Sequence, residues 1–445
     1  MEWEQLISAK RLTESVEPTA EDDRSPFQKD FDRIVFSSAF RRLQDKTQVH
    51  LLSPGDYVRT RLTHSLEASS VGRSLGSLVG KDVIDHHEIL AERSITFADF
   101  GHIVSAAALT HDIGNPPFGH SGEEAVHDWF ARDNIEEKIL CRLSSEQEKL
   151  DFQKFDGNAQ GFRILTRLQF KRNGGLRLTC ATLAAFTKYP CASHLADSDA
   201  QDAASRKSSF FATEQAYFQE VAEETGLLRR DADQAAWARH PLAYLVEAAD
   251  DICYWVVDLE DGCKLGLVSY EKVKEYLQPI AELTDEKLAS YGGEDERVSY
   301  LRASAIGALI KKTAKAFIHN ETAILGGSFE GSLLDQTDSV GISKEMREFL
   351  IKNVYQSTKN LEVEIAGFDV VSGLLEALIF ALLHEPDSSL APNISPKKAK
   401  KLCMLVPVEI SDDPSENLHR ITDYVVGMTD SFAISLFQKI RGTSL

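Results

Sequence analysis

The sequence predicts an all-α protein. Apolar residues recur at three- and four-residue steps along most of the 445 positions, the period of a helix that buries one face. The period-two alternation of half-buried strands is almost absent, and so are a Gly-rich phosphate loop, a GxSxG elbow, a heptad run and any internal repeat. Helices packed on helices are what remains.

Residues 1–24 are polar and acidic and predict a loosely held arm with one short amphipathic piece. From Ser25-Pro26 a helical pattern begins: Phe27, Phe31, Ile34, Val35, Ala39 and Leu43 share a face, with Arg33, Arg41, Arg42 and Lys46 between them. SPGD at 53–56 predicts a turn. Thr60 to Val79 resumes as a helix that carries Arg61 and His64 on one face, three residues apart.

A second helix starts near Gly101 and runs into AAALTHDIGNPPFGHSGEE, residues 106–124. Gly114 and Pro116 end it just after His111-Asp112. Where a helix comes apart, two neighbouring side chains can turn to one cation, which they rarely do on a regular helix with residues about 100° apart. Ser121 and Glu124 fit the S/TxxE capping box and predict the start of a third helix. Glu123 is then free for His120, three residues earlier, or simply complements the helix dipole; at this point both readings stand.

Phe155 to Leu168 predicts a helix after an Asp156-Gly157 turn, ended by Asn173-Gly174-Gly175. Residues 191–209 hold hardly any large apolar group and predict a mobile surface loop, with Arg206-Lys207 at its end as a phosphate contact if it folds over a site. His240 to Glu260 carries a stripe from Leu242 to Val257, and Asp250, Tyr254 and Asp258 follow at four-residue steps on one face. That register selects Asp250 over Asp251 as the carboxylate of a site. Helices over about 269–290, 297–318, 342–354, 361–384, 396–404 and 415–439 complete the chain.

With 43% hydrophobic and 27% charged residues the composition is that of a globular protein with ample core. No leader-like start and no uncharged apolar run of about 18 residues is present, which predicts a cytoplasmic protein without a membrane span. Six scattered cysteines without a CxxC pair argue against structural zinc and disulfides. A formal charge of −20 argues against broad nucleic-acid binding and means that a phosphate site needs a local basic cluster and a metal.

His64, His111, Asp112 and Asp250 therefore predict a centre for one divalent cation, with about two coordination positions left for water and substrate. Mn, Mg, Fe, Co and Ni all suit this nitrogen and oxygen set. His86 and His87 sit in a polar DHHE stretch without a matching partner and are taken as surface residues.

The motifs DFDRIVFSSAFRRLQDKTQV (30–49), RTRLTHSLE (59–67), HDIGNPPFGHSGE (111–123), FDGNAQGFRIL (155–165), TKYP (187–190), EAADDICYWVVDLED (247–261) and DYVVGMTD (423–430) follow in order. Together they resemble the HD-domain phosphohydrolases, and within them the deoxyguanosine triphosphate triphosphohydrolases (dGTPases). The resemblance implies an HD-domain helical core over 25–265, with a C-terminal helical region, 266–445, that completes a nucleotide pocket and supplies oligomer interfaces. It implies metal-dependent hydrolysis of a deoxynucleoside triphosphate, dGTP foremost, to deoxynucleoside and intact triphosphate, by a homo-oligomer such as a dimer or hexamer.

Carried over by motif, His64, His111, Asp112 and Asp250 hold the metal, and His120 with Glu123 handles protons. Arg61 touches phosphate, Gln48 touches sugar beside Val49, Tyr254 lies along the deoxyribose, and Asp258 accepts from the 3′ hydroxyl. Two rivals remain: another HD-domain hydrolase, nucleotidase or phosphodiesterase, and a nucleotide-sensing regulatory protein.

Overall fold

In a computed structural model, residues 1–12, 24–48, 59–170, 175–197, 206–231, 234–383 and 394–443 are described. Val49, the SPGD turn and residues 198–205 of the expected loop lie outside them. Among the described residues the chain is helical without a β-strand; only isolated bridges pair extended residues. The helices that frame the site and the two cores include α1 (Pro26–Val35), α2 (Arg61–His86), α3 (Phe97–Thr110), α4 (His120–Phe130), α5 (Gly157–Arg163), α6 (Cys180–Phe186), α7 (Pro241–Lys264), α8 (Tyr270–Ala281), α9 (Glu294–His319), α10 (Val340–Leu350), α11 (Thr358–Leu382), α12 (Pro396–Leu405), α13 (Pro414–Val426) and α14 (Asp430–Arg441).

The centre is the pair α2 and α3, which approach more closely than large side chains permit. Gly72, Gly76 and Gly80 form a stripe at four-residue steps on α2, and a Cβ on Gly76 would sit 2.6 Å from the Phe100 carbonyl oxygen of α3. Close backbones fix the axial offset of two helices, and so fix where His64 near one end of α2 meets His111 at the end of α3. Helix α7 packs across both, and α9 closes over α7 and α2.

A second apolar cluster lies beside this one. Trp129 and Phe130 of α4, Phe152 and Phe155, and Leu374 and Leu378 of α11 are its centre, with α12, α13 and α14 around them. Helix α11 is long and apolar enough to cross a membrane by length and composition, yet 61% of that stretch is buried within the fold, as expected of a core helix.

Three expectations need correction. The arm is not loose over residues 1–12: Trp3, Leu6 and Leu12 are buried, and Trp3 packs against Phe100 and Phe317 at ring separations of 5.3 and 6.3 Å. A few apolar side chains anchor an otherwise polar segment; burying each is worth about 2 kcal/mol. The described ends of the 191–209 segment are surface only in part: Ala192, Ser193, Ser209 and the adjoining Phe210 are buried, whereas His194, Asp197 and Arg206 are exposed. Small residues there signal close packing rather than exposure: the Ser193 hydroxyl donates to Asp151, which also accepts from the Ala212 N–H at 2.8 Å. Finally, the expected helix over 415–439 is two helices, broken at Gly427–Thr429, where the Thr429 hydroxyl accepts from the Phe432 N–H and caps α14.

Candidate active site

Two helix ends and one helix middle meet at one place. The first turn of α2 brings Arg61 and His64, the cap of α3 brings His111 and Asp112, and the middle of α7 brings Asp250. His64 Nε2 lies 2.9 Å and His111 Nε2 3.4 Å from the same Asp250 oxygen, Oδ1. The ligand atoms of these three residues all lie within 4.8 Å of one another. Asp251, its neighbour on α7, is not in this group.

Second contacts set the chemistry of these donors. His111 Nδ1 donates to the Ala108 carbonyl at 2.7 Å, which leaves the Nε2 lone pair facing Asp250. Asp112 Oδ1 accepts from Asn115 at 2.5 Å. Asp112 Oδ2 is buried and has no aligned hydrogen-bond donor, although the Arg61 guanidinium is 2.7 Å away and His111 Nε2 3.5 Å away. Burial pushes the Asp250 carboxyl up, but His111 and His64 outweigh it and hold it well below the usual carboxylate range. Facing imidazole lone pairs and carboxylates repel one another unless a cation or protons lie between them. His64, His111 and Asp250 thus offer a nitrogen and oxygen donor set that fits a divalent metal, whereas Asp112, expected as a fourth ligand, is not among the convergent donors and lies against Arg61.

His120 is the first residue of α4. The helix does not begin at a Ser121 cap: Gly119 is the N-cap, with φ of 61°, after Phe118, with φ of 65°. This left-handed pair turns the chain two residues earlier than the S/TxxE pattern suggests, so Ser121 already lies inside the helix and Glu124 is exposed. Glu123 is buried instead. Its Oε2 lies 3.4 Å from His120 Nδ1, and its Oε1 accepts from the Gly157 N–H and from Lys207, both at 3.3 Å. Burial opposes its ionisation, yet His120, Lys207 and the Gly157 amide bring its carboxyl down to about 2. The His120 ring stands largely in the open beside this anion.

A cavity of about 300 Å³ joins the two groups, lined by Gln48, Arg61, His111, Asp112, His120 and Glu123 among others. Lys188 and Lys207 supply positive charge on its walls, and Tyr254 and Asp250 come from α7. Gln48 Oε1 is buried and unpartnered. A smaller adjoining space of about 160 Å³ continues past Gln48 and Tyr254 to Tyr355, Asn360 and Glu364. Asp258 stands behind this wall, where its Oδ2 accepts from the Tyr355 hydroxyl at 2.8 Å. Val49 lies outside the described residues. His86 is exposed and His87 pairs with Glu321 at 3.1 Å, away from the site.

Asn158, Glu247, Tyr355, Asn360 and Glu364 line these spaces without having been singled out in the sequence. Asn158 sits within the FDGNAQ motif and Glu247 opens EAADDICYWVVDLED, the two signals that pointed at any of them. A further cavity of about 720 Å³ lies elsewhere, and its Arg163 and Arg167 are already paired with Glu214, Asp423 and Glu416.

The chain is 44% identical over its full length to a deoxyguanosinetriphosphate triphosphohydrolase-like protein of Synechocystis, itself matched over 100% of its length. It belongs to the deoxyguanosinetriphosphate triphosphohydrolase-like family. A Pseudomonas aeruginosa member of that name is 37% identical, matched over 100% of this chain and 99% of its own. A deoxyguanosinetriphosphate triphosphohydrolase of Yersinia pseudotuberculosis is 29% identical over 99% of both chains. Residues 341–439 match the phosphohydrolase-associated domain, and this stretch supplies Tyr355, Asn360 and Glu364 to the smaller space. HD-domain phosphohydrolases depend in general on a divalent metal, and the His64, His111 and Asp250 cluster is compatible with one.

Proposed function

We propose that the chain hydrolyses deoxynucleoside triphosphates, dGTP foremost, to deoxynucleoside and inorganic triphosphate. The observation that carries this reading is the convergence of the His64–His111–Asp250 cluster and the His120–Glu123 pair on one lysine-lined cavity. In the overall reaction water attacks the α-phosphorus, the bond to the 5′ oxygen breaks, and that oxygen takes up a proton.

His64, His111 and Asp250, with Asp112 beside them, would hold the cation. Polarisation of the phosphoryl group and activation of water are the chemistry a divalent ion supplies when bound; Mn, Mg, Fe, Co and Ni all accept this donor set. Anionic Glu123 holds the Nδ1–H of His120, which leaves Nε2 to carry the proton between the reacting oxygens and solvent. Arg61, Lys188 and Lys207 offset the triphosphate charge on a protein whose net charge of −20 would otherwise repel it.

Gln48 Oε1, buried and without a donor, accepts from a sugar hydroxyl. The Tyr254 ring packs along the deoxyribose, where a 2′ hydroxyl would collide. Asp258 orients the Tyr355 hydroxyl towards the 3′ side of the sugar. Beyond them, Glu364 offers a carboxylate to the N1–H and N2–H donors of guanine, the basis for preferring dGTP. The C-terminal helices expose Ile365, Met404 and Leu405, apolar surface that suits a dimer or hexamer. No disulfide joins the six cysteines, in keeping with a cytoplasmic setting.

Product analysis tests this. The metal-loaded protein is incubated with each deoxynucleoside triphosphate and with GTP, and the nucleosides and phosphates are resolved. Deoxyguanosine with intact triphosphate, and untouched GTP, is expected; orthophosphate or pyrophosphate as the product contradicts the reading.

A further inference from the structure

DYVVGMTD, residues 423–430, is a motif with no side chain on the walls of the 300 Å³ cavity, yet its last residue reaches the catalytic turn. Asp430 opens α14 and is buried. Its Oδ1 accepts from the Phe118 N–H at 3.0 Å, two residues before His120. Its Oδ2 accepts from the Thr47 N–H at 3.0 Å and the Thr47 hydroxyl at 2.9 Å, one residue before Gln48. One carboxylate thus takes three donors from two segments that both enter the site.

The turn it holds is unfavourable by itself. Phe118 has φ of 65°, a conformation that residues with a Cβ rarely adopt and that persists only when its surroundings over-determine it. Two neighbours do so from the far side. The Phe118 ring lies directly on Gly367 of α11, where a Cβ would come within 2.8 Å of the ring. Buried Lys46 donates to the Val426 carbonyl at 2.9 Å and to the Asn115 carbonyl, tying the same three segments together.

From this juxtaposition we infer that Asp430 is a positioning residue: by clamping the Phe118–Gly119 turn and Thr47 together it sets the place of His120 relative to Gln48. The inference rests on the proton-handling role proposed for His120. It also gives the phosphohydrolase-associated region, 341–439, a task in catalysis that needs no contact with substrate, because both Gly367 and Asp430 lie within it.

The test uses full-length, metal-loaded protein carrying Asp430→Ala, Asp430→Asn or Gly367→Ala, with dGTP as substrate. A misplacement of about 1 Å at a catalytic group costs on the order of 10²-fold in rate. Asp430→Ala should therefore lower kcat by about that factor, with KM within about threefold and bound metal unchanged. Asp430→Asn, which keeps one acceptor oxygen for Phe118 or Thr47, should lose less, and Gly367→Ala should lower kcat by pushing the same ring from the other side. The His120 imidazole proton resonance, single in the wild type, should shift or split in both alanine variants.

Unchanged kcat per folded molecule together with an unmoved His120 resonance overturns the inference. So does a loss of activity that merely parallels loss of metal or of folded protein. A wild-type protein that releases no triphosphate contradicts the functional reading instead, and the His120 resonance then decides the positioning role alone.

Discussion

The two halves of the site are built in different ways. The proposed metal half hangs on three long helices, with the offset of α2 and α3 fixed by the glycine stripe; His64 and Asp250 project in helical register, and His111-Asp112 from the end of α3. The proton half hangs on a left-handed turn, Phe118–Gly119, that is held from α11 and α14 some 250 to 310 residues along the chain. A ligand shell tolerates no change of its donors, whereas a proton-transfer group tolerates no change of its placement. Substitutions in the two halves should therefore fail differently.

The largest effect is expected from His64→Ala, which removes one of the three convergent donors. Turnover should fall by about 10³-fold or more, in step with the metal content measured by elemental analysis. Chelation of the wild type should do the same and reverse on addition of Mn. Glu123→Ala should lower kcat by roughly 10²–10⁴-fold, the usual worth of a positioned acid–base pair, in steady-state assays with dGTP.

Next come effects on the scaffold of the metal half. His240 caps α7, the helix of Asp250, with Nδ1 accepting from the Leu242 N–H and Nε2 donating to the Leu6 carbonyl at 3.0 Å. Burial lowers its pKa to about 4, so it is neutral when folded at neutral pH. A depressed pKa contributes stability that is present above about 6.5 and lost as pH falls through about 4. The loss is on the order of 3 kcal/mol, and urea unfolding across this window should show it, with a shallower slope in His240→Asn, the remainder coming from buried groups such as His419. Gly76→Ala, which drives a Cβ against the Phe100 carbonyl, should cost about 1–3 kcal/mol in the same measurement. The smallest effect is on specificity: Tyr254→Ala should narrow the preference for dGTP over GTP, and an unchanged ratio would mean that the 2′ position is read elsewhere.

Legibility in the sequence follows the same division. The all-α class, the helices and the three separated pieces His64, His111-Asp112 and Asp250 could be read because periodicity and local breakers encode them. The direction of Asp250 followed from its four-residue register with Tyr254 and Asp258. The start of α4 was misread because a left-handed Phe118 carries no local signature, and Ser121 offered a plausible cap that the chain does not use. Tyr355, Asn360, Glu364 and Asp430 were invisible as site residues, since only tertiary packing brings helices after 340 beside residues 47 and 118. Trp3 and Leu6 show the converse, a polar stretch pinned by a few side chains that composition averages away.

The most direct measurement on the account is metal binding beside turnover for one substitution from each half. Manganese is titrated calorimetrically into wild type, Asp250→Ala and Glu123→Ala while dGTP hydrolysis is followed on the same samples. Asp250→Ala should lose both metal and activity, and Glu123→Ala should bind metal as the wild type does and yet turn over little. If Glu123→Ala loses its metal too, or keeps wild-type turnover, the separation of the site into a metal half and a proton half is wrong.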